Sequence, residues 1–238
     1  HAILTSAAVS VPGIVLAQLA AIRALRKQGI DFAATPPVRI VGHSQGVRAE
    51  AALAEGSEGA GEGAILAFAQ LIGAAGAIVA GRTGLVAGAD GSPMLSVTNI
   101  EPQRMSDILD EYRETLAEDE RAFAPVISII NGRRSVVLSG RPHQLRAVQQ
   151  LCERIAEAEA DERTRKLTGG APLNPTFDDL DVAIGFHHPA LAPAVDLAVE
   201  WAGPLGPDAA RAREAARAVL VDPVDWPAAI DSVVDAGA

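Results

Sequence analysis

One serine stands where its neighbours could make it a nucleophile. The short run Val38-Arg39-Ile40-Val41 leads straight into Gly42-His43-Ser44-Gln45-Gly46, and an alanine-rich helical stretch begins near Val47. Strand, sharp turn and helix are the setting in which a G-x-S-x-G segment lifts a serine hydroxyl into the open above a helix N-terminus. Gly42 and Gly46 let the backbone pass where a Cβ would crowd the turn. The amide of Gln45 is placed to hold an oxyanion when a carbonyl is attacked. A serine hydroxyl also needs a base to take its proton. Of the five histidines, His1 is terminal, His43 adjoins Ser44 and points away from it, and His143 starts a surface helix. The pair His187 and His188, in Phe186-His187-His188-Pro189 just after a strand, is left as the source of the base. No carboxylate stands out as the partner that orients it. Asp178, Asp179, Asp181, Asp196, Asp222 and Asp225 are equally available, and a backbone carbonyl would serve as well.

The elements that must position these groups follow from periodicity. Leu16, Leu19, Ile22 and Leu25 form the apolar stripe of a helix over Leu16–Gln28, ended by Gly29. Pro12 and Gly13 interrupt the apolar opening stretch, which lacks the charged start of a signal peptide. The nearly uncharged run Ala64–Gly81 reads as an internal helix of an α/β protein rather than a membrane span, and the glycines from Gly56 to Gly63 as a loop, since no P-loop Lys-Ser/Thr follows. From Met94 the pattern changes to strand Met94–Thr98, helix Glu101–Leu116, strands Val126–Asn131 and Ser135–Ser139, helix Pro142–Ala160 and strand Leu180–Ile184. That order, βαββαβ, is a ferredoxin-like arrangement. The expected division is a larger unit from residues 1–93 and 189–238 and a smaller one from 94–188. Helices Pro193–Ala202 and Asp208–Val219 and the segment Val224–Val234 return to the larger unit.

Composition narrows the function classes. In 238 residues, 49% are hydrophobic and 21% charged, enough for a buried core. A formal charge of -10 disfavours nucleic acid and anionic lipid as partners. The single cysteine, Cys152, allows no internal disulfide and no paired-cysteine zinc site, reads as a small buried residue, and fits a cytoplasmic setting. Arg133, Arg134 and Arg141 form a short basic cluster, read as solvent-facing, with a phosphate or an acidic carrier protein as the alternative. The first residue is histidine and the last three are Ala236-Gly237-Ala238, which reads as a piece of a longer polypeptide.

Taken together, Gly42-His43-Ser44-Gln45-Gly46, Met94-Leu95-Ser96-Val97, Val136-Val137-Leu138-Ser139-Gly140 and Phe186-His187-His188 resemble the acyl-carrier-protein S-acyltransferase domains. The likeness is to the starter acetyl (acyl) transferase of the type I fatty acid synthases of mycobacteria and their relatives and of the fungal β-subunit. It implies an α/β-hydrolase-like acyltransferase core, here incomplete, with an inserted ferredoxin-like subdomain. It assigns the base to His187, the histidine directly after the phenylalanine, oriented by a main-chain carbonyl. It further implies transfer of an acyl group from acetyl-CoA through Ser44 to the phosphopantetheine of an acyl carrier protein, with no tightly bound cofactor and no metal. The partners implied are the carrier and the other domains of a large, hexameric synthase.

Malonyl-specific members of that family carry an arginine in the helix after the nucleophile. Ile72 stands at or next to that position, with no arginine between Arg48 and Arg82. A malonyl carboxylate would have no partner there, so the expected acyl group is uncharged, most simply acetyl. Malonyl or palmitoyl transfer, a serine esterase or thioesterase using Ser44 and His187, and a non-enzymatic segment of a megasynthase are the competing readings. Three departures from the family pattern stand out. The early G-Q-G-like segment expected to supply a second oxyanion donor is missing before Gly42, and the E/D-x-G-P-G strand is missing at the other end. Arg48 occupies a position that is commonly apolar.

Overall fold

In the computed structural model, residues 6–30, 42–47, 60–166, 173–203 and 208–237 are described. The expected strand Val38–Val41, Arg48 and the helix after Val47 lie outside these residues.

Helix α1, Ala7–Lys27, begins nine residues before the expected start and runs through Pro12. Its buried face is Ala7, Val11, Val15, Leu19 and Ile22, while Leu16 and Leu25, expected on the stripe, are exposed. Packing overrides the helix-breaking tendency of Pro12, because α1 lies along α2, Ala60–Thr83. Gly61 and Gly63, expected in a loop, belong to α2. The two helices approach closely at Gly73, where an added Cβ would lie 2.2 Å from the Ala7 carbonyl oxygen. Arg23 of α1 pairs with the buried Glu62 of α2. Replacing Gly73 by alanine is therefore expected to force the helices apart and cost about 2 kcal/mol or more, read as a lowered urea midpoint. An unchanged midpoint would mean that the two helices do not meet at Gly73.

Both α1 and the stretch Gly61–Thr83 of α2 are long and apolar enough to cross a membrane. In α2 that composition serves the protein core, with Ile65, Phe68, Ala69, Ile72, Ala75, Val79 and Ala80 buried among α1, α5 (Ala192–Ala202) and α6 (Ala209–Leu220).

The remaining elements form a sheet with helices on one face. Strands β1 (Met94–Thr98), β2 (Val126–Gly132) and β3 (Ser135–Ser139) fall where expected, as do the cores of α3 (Pro102–Thr115) and α4 (Pro142–Lys166). Strand β4 is Thr176–Asp179 rather than Leu180–Ile184. Phe177 pairs opposite Val97 and packs under α3 and α4, which starts the strand four residues earlier in the chain. Ile184 makes only an isolated bridge with Val86. The order β4-β1-β3-β2 is antiparallel throughout, as a ferredoxin-like unit requires.

A fifth strand, β5 (Val224–Asp225), adds parallel to β2 and leads into α7 (Trp226–Gly237). Val224 also packs on the larger core, so this return segment ties sheet and larger core together. Alternation along the strands does the same. Leu95, Val97, Val136 and Leu138 face α3 and α4, with Cys152 buried among them, while Met94, Ile129 and Val137 join the core built on α1, α2, α5 and α6.

Candidate active site

Ser44 opens a one-turn 310 segment, Ser44–Val47, and has φ of +53°. A non-glycine residue in the left-handed region is held there against a cost of roughly 1–3 kcal/mol. The surroundings must impose it. The Gly46 N–H donates to the His43 carbonyl at 2.8 Å, closing the turn. The Gln45 amide sits in its first turn, where N–H groups lack helical acceptors.

The structure brings Ser44 and His187, 143 residues apart, to 2.7 Å between Oγ and Nε2. His187 is 1% exposed and also left-handed, with φ of +56°. Its Nδ1 lies 2.7 Å from the Asp222 carbonyl oxygen. A carbonyl can only accept, so Nδ1 carries the proton and Nε2 offers its lone pair to the Ser44 hydroxyl. The Asp222 carboxylate itself is engaged with Arg217. Burial chiefly lowers the His187 pKa below the usual histidine value; the Asp222 carbonyl opposes this and nearby His43 adds to it.

His188 has a different task. It is equally buried, but both ring nitrogens are occupied: Nδ1 accepts from the Ala190 N–H and Nε2 donates to the Ala124 carbonyl, each at 3.1 Å. Burial pushes its pKa down to about 4. The imidazole is neutral and has no lone pair left for a substrate proton. Since its unfolded value is near 6.5, the unfolded chain binds the extra proton first as pH falls. Stability from this group is full above pH 6.5, declines between 6.5 and about 4, and then levels. Its full size is about 3 kcal/mol. Urea midpoints across that window should show a slope that His188→Gln reduces; an identical slope would contradict the assignment.

His43 turns away from Ser44, as its position in the turn implied. Its Nε2 lies 3.0 Å from Asn131 Oδ1, and its ring meets Trp226 edge-on at 5.2 Å. Asn131 and Trp226 were not legible as neighbours of the turn, since each comes from a remote element. Ile72 is fully buried in α2. Arg133 and Arg134 are exposed. Arg141 is turned inward, donating to the Thr83 carbonyl and Glu120 and lying 4.1 Å over the Phe123 ring. Cys152 is buried, which raises its thiol pKa to about 11 and leaves it unreactive.

Comparison with known proteins bears on the frame around this pair. The fatty acid synthase central AT domain family matches residues 93–179. The acyltransferase domain of an iterative polyketide synthase of enediyne biosynthesis is similar in structure, at 23% identity and TM-score 0.65, over 96% of this chain and 53% of that one. MCAT from Mycobacterium tuberculosis is similar at 22% identity and TM-score 0.65, over 98% of this chain and 68% of that one. The chain has the acyltransferase fold. A third neighbour with this fold, the malonyl-transacylase PlMCAT in complex with its type II polyketide acyl-carrier protein, superposes with TM-score 0.69 at 15% identity, over 98% of this chain and 69% of that one. No curated protein sequence matches significantly. The chain thus spans between about half and 70% of the length of these acyltransferase-fold neighbours.

Proposed function

We propose that this chain carries the acyl-transfer site of a fatty acid synthase, moving an acetyl or other short uncharged acyl group from coenzyme A to the phosphopantetheine thiol of an acyl carrier protein. The observation that carries the reading is the relay from Ser44 Oγ through His187 to the Asp222 carbonyl. His187 Nε2 takes the Ser44 proton as Oγ bonds to the thioester carbon. The carbon–sulfur bond then breaks, and coenzyme A leaves with the proton that His187 returns. In the second half the carrier thiol gives its proton to His187 and its sulfur attacks the acyl-serine. The carbon–oxygen bond breaks and Ser44 regains its hydroxyl proton. The Gln45 amide holds the oxyanion in both halves.

A carbonyl in place of a carboxylate leaves a less basic histidine, which suits exchange between thioesters better than hydrolysis. Malonyl transfer is the second reading, because several neighbours with this fold are malonyltransferases; the buried Ile72 weighs against it. The matched family supports a setting among the other domains of a synthase, which in our reading is a hexameric assembly in the cytoplasm. The test is to add acetyl-CoA and a phosphopantetheine-bearing carrier protein and follow both products. Acetyl-carrier forming much faster than free acetate supports transfer. Free acetate as the main product, unchanged by carrier, would favour a hydrolase.

A further inference from the structure

His187 has a left-handed backbone, uncommon for any residue but glycine, and the groups that hold it there converge on its neighbour. The His188 N–H donates to the Leu220 carbonyl at 3.0 Å, two residues before the Asp222 carbonyl that accepts from His187 Nδ1. The His188 ring caps the 310 turn Pro189–Leu191 through Ala190. On its other side it holds the Ala124 carbonyl, which follows the turn Arg121–Phe123. That turn is itself fixed by Arg141 stacked over Phe123 and tied to Glu120 and Thr83. Pro125 packs against Gly140, with contacts of 3.1 Å for an added Cβ. One neutral imidazole therefore links the loop carrying His187 to a braced segment 64 residues away.

We propose that His188 is a positioning residue for the acyl-transfer reaction: its two ring bonds lock the backbone of His187 so that Nε2 meets Ser44 while Nδ1 meets Asp222. The inference rests on the reading of Ser44 and His187 as nucleophile and base, but it also makes a claim about geometry that can be read without turnover. A core histidine that merely fills space would affect stability and leave the rate per folded molecule alone.

Two conservative variants separate the bonds. In His188→Asn the amide oxygen replaces Nδ1 and keeps the cap on Ala190, while the bond to Ala124 is lost. In His188→Gln the amide nitrogen replaces Nε2 and keeps Ala124, while the cap is lost. Each is expected to lower the acylation rate per folded molecule by about tenfold or more with KM for acetyl-CoA within about twofold, since small misplacements of a base act on the chemical step. A rate per folded molecule equal to that of the unsubstituted protein in both variants overturns the proposal.

The second readout uses ring nitrogen-15 chemical shifts of the unsubstituted protein. His188 is expected as the Nε2–H form and His187 as the Nδ1–H form; the opposite form at either residue overturns the proposal even if both variants fail to fold. Should the unsubstituted protein form no acyl-serine, the acyl-transfer reading falls. The His187 ring shifts in the variants still decide whether His188 sets its geometry, with shifts identical to those of the unsubstituted protein counting against it.

Discussion

Replacing His187 by alanine is expected to slow acylation of Ser44 by about 10³-fold at neutral pH, within the range that a positioned general base supplies. The reason is local and does not depend on what acyl group is carried. Without an acceptor 2.7 Å from its oxygen, the Ser44 hydroxyl keeps its proton as it attacks. Asp222→Ala is expected to act quite differently. The group that orients His187 is the Asp222 carbonyl, which every residue type provides, and the carboxylate is spent on an exposed pair with Arg217. Such a pair contributes about 1 kcal/mol or less, so acylation in Asp222→Ala should stay within about threefold. A large loss at Asp222 would mean that a carboxylate does the orienting after all. The pH dependence has a definite direction too. Only neutral His187 accepts the proton, and burial lowers its pKa, so the acidic limb of the acylation rate should fall below the usual histidine value of 6.5 rather than at or above it.

The second large effect concerns the acyl group. Ile72 is fully buried, in a stretch of α2 whose other buried residues are Phe68, Ala69 and Ala75. In the proposed reading Ile72 faces the acyl group, and a malonyl carboxylate brought there would lose its water and meet an isoleucine where malonyl-specific relatives offer an arginine. Malonyl-CoA is therefore expected to load Ser44 about 100-fold more slowly than acetyl-CoA, a discrimination of some 3 kcal/mol. Ile72→Arg is expected to narrow that gap by raising malonyl loading, at a cost in stability from placing a guanidinium in the core. Equal loading by the two thioesters in the unsubstituted protein would remove Ile72 from the account of selectivity.

The parts of the fold that were legible in the sequence are those whose signal is local. The strands around Ser96 and Val137 are short apolar runs rich in β-branched residues, α3 and α4 carry a one-sided apolar stripe, and their order gives the ferredoxin-like sheet. The turn at Ser44 and the histidine pair were legible because a serine between glycines and adjacent histidines are chemically conspicuous. What was not legible depends on remote partners. Helix α1 passes Pro12 because α2 lies beside it, with Gly73 making the approach possible. Strand β4 is set by the fit of Phe177 under α3 and α4, and Leu180 offered an equally good pattern. The Asp222 carbonyl has no side-chain signature at all, which is why a search among carboxylates leaves the choice open. The separate tasks of His187 and His188 emerge only when Ala124, Ala190 and Asp222 are seen around them.

The central claim is that Ser44 forms the covalent bond to the acyl group, and peptide mapping tests it most directly. The protein is incubated briefly with acetyl-CoA, quenched in acid and digested, and the acetylated peptide is located by mass. A single acetyl group on the peptide containing Ser44, lost in Ser44→Ala and strongly reduced in His187→Ala, is the predicted result. An acetyl group on any other residue, or none in a protein shown to be folded, would contradict the account.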